Sequence, residues 1–328
     1  MTPTELPAGT LEITHKNRIM LAGSCFASNI GVKLAERKFD IETNPFGTLY
    51  NPLSLAMMLK RVEQGRMFDR SSAELLEHNG LWHSMLHHSD FSCSTKEQLI
   101  ETLNRRMQES HIRAKSCDTA IVTFGTAYAY TLKSSGTVVG NCHKLPGSMF
   151  TRRLLSIEEI ADTMSDVIDT YRRNNSGIRF IFTVSPIRHL RDGAHDNQKS
   201  KATLLLAIDR LIERYPANAF YFPAYEIVLD ELRDYRFYAD DMVHPSQAAI
   251  EYIWECFGKC YFSDSTQKLN ESIESIIKDC NHRPFNAESE GYRSFLSNLL
   301  QKIEAIEEKY PYLGFENEKT RCNTLLNR

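Results

Sequence analysis

The 328-residue chain contains no apolar run approaching the ~20 residues that cross a bilayer, which argues against a membrane-spanning helix. It has no long lysine or arginine run, and its formal net charge is −3, so electrostatics give no case for a nucleic-acid partner. Basic and aromatic residues do not interleave as they would along a single-stranded nucleic-acid groove. Neither Gly-x-Gly-x-x-Gly nor Gly-x-x-x-x-Gly-Lys-Ser/Thr occurs, which removes the usual phosphate-cradling loops of nucleotide and dinucleotide sites. The eight cysteines show no Cys-x-x-Cys pair and no dense spacing, and are expected to be reduced, packed thiols. No internal repeat points to a solenoid. The first 16 residues are broken by Pro3, Glu5, Pro7 and Glu12 and lack the apolar core of a secretory signal, so a cytoplasmic location is expected.

What is present is ordinary globular material: 42% hydrophobic and 25% charged residues, in a length that allows one large domain with an appendage or two modest domains. Four strand-like segments are predicted at Arg18–Ala22, Thr119–Phe124, Ile178–Val184 and Ala219–Phe222. Helical stripes separate them. One runs through Ile157, Ile160, Ala161, Met164, Val167, Ile168 and Tyr171 behind a Ser156/Glu159 capping box. Another runs through Leu204, Ile208, Leu211 and Ile212. This alternation predicts an α/β fold whose central parallel sheet is covered on both faces, with function at the carboxyl ends of the strands. The domain is expected to span 1–264, with less regular insertions at about 60–118 and 128–150. Residues 265–328 carry two further stripes (Leu269, Ile273, Ile276, Ile277; Phe295, Leu296, Leu299, Ile303, Ile306). They are read as a helical appendage that packs on the main domain or on another copy of the chain.

The first predicted strand ends in Gly23-Ser24, and a helix with Phe26, Ile30 and Leu34 on one face follows. A serine at that junction lies near amides able to hold an anionic oxygen, a geometry that suits a nucleophile; it also suits a plain helix N-cap. Far along the chain, Asp241-Met242-Val243-His244-Pro245 precedes a stripe of Ala249, Tyr252, Ile253 and Phe257. A turn there can set Asp241 on one imidazole nitrogen of His244 and leave the other free, which is what a serine base requires.

Gly23-Ser24-Cys25-Phe26-Ala27 spells the pentapeptide of the GSCFA-domain proteins, which resemble the wider SGNH (GDSL-like) hydrolases. The resemblance extends through Asn44-Pro45-Phe46-Gly47, Tyr50-Asn51-Pro52, Thr123-Phe124-Gly125-Thr126-Ala127-Tyr128, Asn141-Cys142-His143-Lys144, Ser185-Pro186-Ile187-Arg188-His189 and Asp241-x-x-His244-Pro245, about 18 to 260. It implies a three-layer α/β/α sandwich, with Ser24 as nucleophile, His244 as base and Asp241 as its orienting acid. It implies oxyanion donors at Ser24 and Gly47. The superfamily's third block usually reads Gly-x-Asn-Asp. Here Gly125-Thr126-Ala127-Tyr128 has no asparagine, and Gly125, Thr126, Asn141 and His143 are the candidates to replace it.

Other residues have competing readings. Cys25 beside Ser24 is a rival thiol nucleophile, set against a buried core cysteine. His83 and His87 have helical zinc-ligand spacing but no intervening glutamate and no third ligand, so no metal is assigned. Asn141 and His143 follow a short strand at Val138-Val139 and are candidate substrate contacts. So are Arg188 and His189, at the head of a long polar loop, with His189 also a rival base. The expected activity is a serine esterase that removes O-acyl or O-acetyl groups from a carbohydrate or small-molecule ester, without cofactor. An acyltransferase would use the same residues. A non-catalytic carbohydrate- or partner-binding module is the reading the missing asparagine suggests.

Overall fold

In the computed structural model, which describes residues 2–7, 11–286 and 288–327, the first half of the chain forms β1 (Arg18–Gly23), α1 (Cys25–Glu36), β2 (Asp40–Thr43), α2 (Pro52–Gln64), β3 (Leu75–His78), β4 (Leu81–Ser84) and α3 (Lys96–Ser116). Next come β5 (Thr119–Phe124), β6 (Tyr128–Leu132), β7 (Val138–Val139), β8 (Phe150–Leu154), α4 (Ile157–Arg172), β9 (Arg179–Val184), α5 (Gly193–Arg214) and β10 (Ala219–Tyr221). The chain closes with the short α6 (Ala224–Glu226), then α7 (Gln247–Tyr261), α8 (Asp264–Cys280), α9 (Glu290–Lys309) and α10 (Glu316–Leu326).

Five strands form one parallel sheet in the order β10-β9-β5-β1-β2. Side-chain alternation along them sets the layers. Met20 and Ala22 of β1, Val122 and Phe124 of β5, and Phe180 and Phe182 of β9 share a core with apolar residues of α2, α3, α4 and α5. Their neighbours Ile19, Leu21, Ile121 and Ile181 share the opposite core with α1 and α7. The result is the three-layer α/β/α arrangement. From β1 the chain steps outward to β2 and then returns to β5 on the other side, so the order of the sheet reverses at the β1/β5 crevice. Open parallel sheets bind ligands outside the carboxyl ends of the strands at such a point.

All four predicted strands are present, and a fifth, β2, flanks them. The insertions are more regular than expected. Residues 60–118 hold the β3–β4 hairpin and the 21-residue α3. Residues 128–150 supply β6 and β7 of a three-stranded antiparallel sheet, β7-β6-β8, which β8 completes. The polar stretch after β9 is a loop only to His189; from Gly193 it is the first turn of α5. The Ser156 hydroxyl accepts from the Glu159 amide at 3.1 Å, but the Glu159 carboxylate turns to Arg153 and does not close the capping box.

The tail has its own core of Leu269, Ile273, Leu296, Leu299, Ile303 and Phe315, contributed by α8, α9 and the segment before α10. It packs on the main domain at the far end of α1, where Arg37 pairs with Glu274 at 3.0 Å and Lys38 with Glu318 at 2.7 Å. Among the described residues no helix is long and apolar enough to cross a membrane.

Candidate active site

Gly23 is where the strand must turn. Its φ of +144° is open to glycine, and a Cβ there would lie 2.3 Å from the Thr123 carbonyl oxygen. The next residue, Ser24, is extended and caps α1, its hydroxyl accepting from the Phe26 amide at 3.3 Å. That is the only hydrogen bond the Ser24 side chain makes among the described residues, and the residue is 2% exposed. A second segment stitches this junction in place. The Gly23 N–H donates to Asn44 Oδ1 at 2.8 Å, the Asn44 Nδ2 donates to Ser28 Oγ on α1 at 2.9 Å, and the Asn44 and Leu49 amides donate to the Leu21 and Gly23 carbonyls. Asn44 thus holds strand and helix at once, from a left-handed backbone at φ +47°.

Asp241 and His244 meet as the spacing predicts. Asp241 Oδ1 accepts the Val243 and His244 amides, both at 2.9 Å, and Oδ2 faces His244 Nδ1 at 2.5 Å. These bonds, the one from the His244 amide foremost, hold the Asp241 carboxyl down at about 2. With Nδ1 committed to the carboxylate, Nε2 is free, and among the described residues it has no hydrogen-bond partner. The pair sits in a turn closed by the Ala239 amide on the His244 carbonyl and by the Ser246 amide on the Phe237 carbonyl, 2.8 Å each. Ser246 then caps α7.

Helix α7 runs alongside α1 in the same direction. Lys33 of α1 pairs with Glu251 of α7, and one turn further along each helix the Arg37 guanidinium lies 4.8 Å from the Trp254 ring centre. The heads of both helices, carrying Ser24 and the Asp241–His244 pair, therefore lie at the carboxyl edge of the sheet. No hydrogen bond joins the Ser24 hydroxyl to His244.

Behind this edge, on the other face of the sheet, Lys201 of α5 is buried, 1% exposed. Its Nζ donates to the Gly125 and Ser185 carbonyls at 2.6 and 2.7 Å, tying together the segments that leave β5 and β9. Burial pushes it down to about 7. A neutral amine has two N–H groups, which match these two acceptors.

A family model described as the GSCFA family matches residues 18–257, and a second, described as GSCFA domain protein, C-terminal domain, matches 273–328. The chain belongs to the GSCFA family. No protein with a curated description matches it.

In this GSCFA protein several expected contacts lie elsewhere. The Gly47 amide donates to the Asn44 carbonyl at 2.8 Å, and the Gly125 and Thr126 amides donate to the Tyr50 carbonyl at 2.8 and 3.0 Å. The Thr126 hydroxyl bonds Ser200 Oγ and the Tyr128 amide. All three expected donors are thus engaged in holding loops, because a turn and a strand end need those N–H groups. The role of Gly47 is steric as well: at φ +76°, a Cβ would meet His88 Cβ at 2.4 Å. Of the expected amides, Ser24's has no partner among the described groups. Of the neighbouring amides at the head of α1, Cys25's likewise has no partner among the described groups, while Phe26's donates to the Ser24 hydroxyl and Ala27's to the Ser24 carbonyl at 2.9 Å.

Asn141 and His143 also turn inward. The Asn141 side chain accepts the His143 amide at 2.8 Å. The His143 ring, stacked on His83, bonds the Ser84 carbonyl at 2.8 Å and Ser89 Oγ at 3.2 Å; burial pushes it to about 4, so it is neutral. His83 and His87 share no helix: His83 is on β4 and bonds Ser92, while His87 is stacked on Phe46 in the following turn. Among the described residues no group of three or more His, Cys, Asp or Glu could hold a metal.

Arg188 and His189 stay at the edge. His189 lies edge-on to Tyr50, and burial, followed by the nearby Lys201 charge, lowers it to about 4, which weakens it as a base. Arg188 lines a cleft of about 370 Å³ together with Met242 and Val243, the two residues between Asp241 and His244. Asn44 and Lys201 are the residues sequence reasoning did not assign. Asn44 stood within a quoted motif, whereas a lysine within a helical stripe carries no mark of burial.

Proposed function

We propose that this GSCFA protein is a serine hydrolase of ester bonds, working as the SGNH hydrolases it resembles do. The observation that carries the reading is the Asp241–His244 pair, with Nδ1 anchored and Nε2 free, at the same sheet edge as a serine that heads a helix. In the reaction His244 Nε2 takes the Ser24 proton as Oγ adds to the acyl carbon. The tetrahedral intermediate's oxygen is met by the Ser24 and Cys25 amides at the head of α1. Collapse expels the alcohol, which leaves with the proton from His244. Water, deprotonated by the same imidazole, then adds to the acyl-enzyme and releases the carboxylic acid and Ser24. Asp241 stabilises the imidazolium throughout and stays ionised. The proton transfer requires His244 Nε2 to reach the Ser24 hydroxyl directly or through one water.

The test is labelling by a fluorophosphonate followed by peptide mass mapping, alongside hydrolysis of a short-chain p-nitrophenyl ester. The adduct is expected on Ser24, with labelling and hydrolysis lost in Ser24→Ala and retained in Cys25→Ser. An adduct on Cys25, or no adduct and no turnover in the wild type, overturns the reading.

A further inference from the structure

We propose that the cleft beside the Asp241–His244 turn receives a negatively charged group of the substrate, held between Arg188 and Arg233. This deepens the ester-hydrolase reading and rests on it. Both arginines line the cleft of about 370 Å³. Among the described residues neither guanidinium has a carboxylate partner, although surface arginines elsewhere in the chain, such as Arg113 and Arg214, are paired. The one acid on the cleft wall, Asp234, lies 3.7 Å from a third arginine, Arg236. The cleft wall itself thus carries two arginines against one aspartate.

Much of the rest of the wall is apolar. Leu190, Tyr235 and Met242 are large apolar side chains that the fold leaves exposed, and all three line this cleft. Flat ring and aliphatic surfaces suit the body of a sugar or another small alcohol seated beside the charged group. Guanidinium forks match the planar or tetrahedral oxygens of carboxylate, sulfate and phosphate groups. Met242 and Val243 belong both to the cleft wall and to the turn that holds the candidate base, so an anion seated here leaves its neighbouring ester beside His244. The substrate class that fits is an acyl ester of an anionic small molecule, such as an acidic sugar, and not a neutral one.

Two measurements test this. The first compares kcat/KM for mono-O-acetyl galacturonic acid, its neutral methyl ester and an O-acetyl hexose phosphate. At least one charged ester is expected to exceed the neutral one by roughly tenfold per guanidinium engaged, and the ratio is expected to fall toward one in Arg188→Gln/Arg233→Gln. Which charged ester is favoured tells carboxylate from phosphate. Equal rates for charged and neutral esters, or a ratio that the double variant does not move, overturn the proposal while the hydrolase reading stands. The second is calorimetric binding of galacturonate and of hexose phosphate to Ser24→Ala protein. Binding that weakens with salt and is lost on adding both arginine substitutions supports the anion site even if no ester is ever turned over. Binding that survives both substitutions overturns it.

Discussion

The heads of α1 and α7 carry the two halves of the candidate catalytic group, and they are built in opposite ways. Ser24 is buried, and its position comes from residues distant in sequence: Asn44 binds the Gly23 amide and Ser28, and Thr123 presses against Gly23. The Asp241–His244 pair is about half exposed, and its position comes from its own turn, through hydrogen bonds spanning two or three residues. The serine's place is thus a property of the whole sheet, whereas the imidazole's place is a property of one short loop. Substitutions in the first region should damage folding and activity together. Those in the second should damage activity alone.

The largest separation is expected from Asp241→Asn. Losing the carboxylate that fixes the tautomer of His244 should lower kcat for a good ester by about 10³ to 10⁴. A loss of less than tenfold would remove Asp241 from the mechanism and leave His244 unsupported. The next effect concerns the edge behind the serine. Between about pH 7 and pH 10 the unfolded chain keeps the Lys201 proton and the folded chain does not, so folded stability rises with pH across that window. Lys201→Met should abolish this component, and the wild-type minus variant difference in unfolding free energy should climb by roughly 2 to 3 kcal/mol from pH 7 to pH 9. A flat difference would mean that the buried amine is not neutral when folded. Asn44→Ala should cost about 1 to 3 kcal/mol, because it strips a partner from the buried Gly23 amide, and should lower activity as well. Denaturant titration beside the ester assay checks both. Smallest of all, Asp241→Asn should melt within about 2 °C of the wild type, since its exposed turn supports little beyond itself. A larger drop would show that the turn braces α7.

The same contrast governs what could be read from the residues. The four apolar strands, the Gly-Ser junction and the Asp-x-x-His turn are local patterns, legible without a fold. β2 was not, because Asp40 and Glu42 alternate with its apolar positions; Glu42 is buried only because Ser110 and Arg106 of α3 reach it. α3 itself buries Leu99, Leu103, Met107 and Ala114, too thin a stripe among charges to stand out. The occupied amides of Gly47, Gly125 and Thr126 lie further still from the sequence, for a backbone N–H has no letter. Lys201 reads as a solvated lysine until β5 and β9 bring two carbonyls to it.

One consequence follows from where the C-terminal helices attach. α1 is a 12-residue rod, about 18 Å long, with the serine at one end and the Arg37 and Lys38 ion pairs to the tail at the other. The tail thus anchors to the sheet domain about one helix length from the Ser24 hydroxyl, so an attachment made at that anchor point is remote from the candidate site.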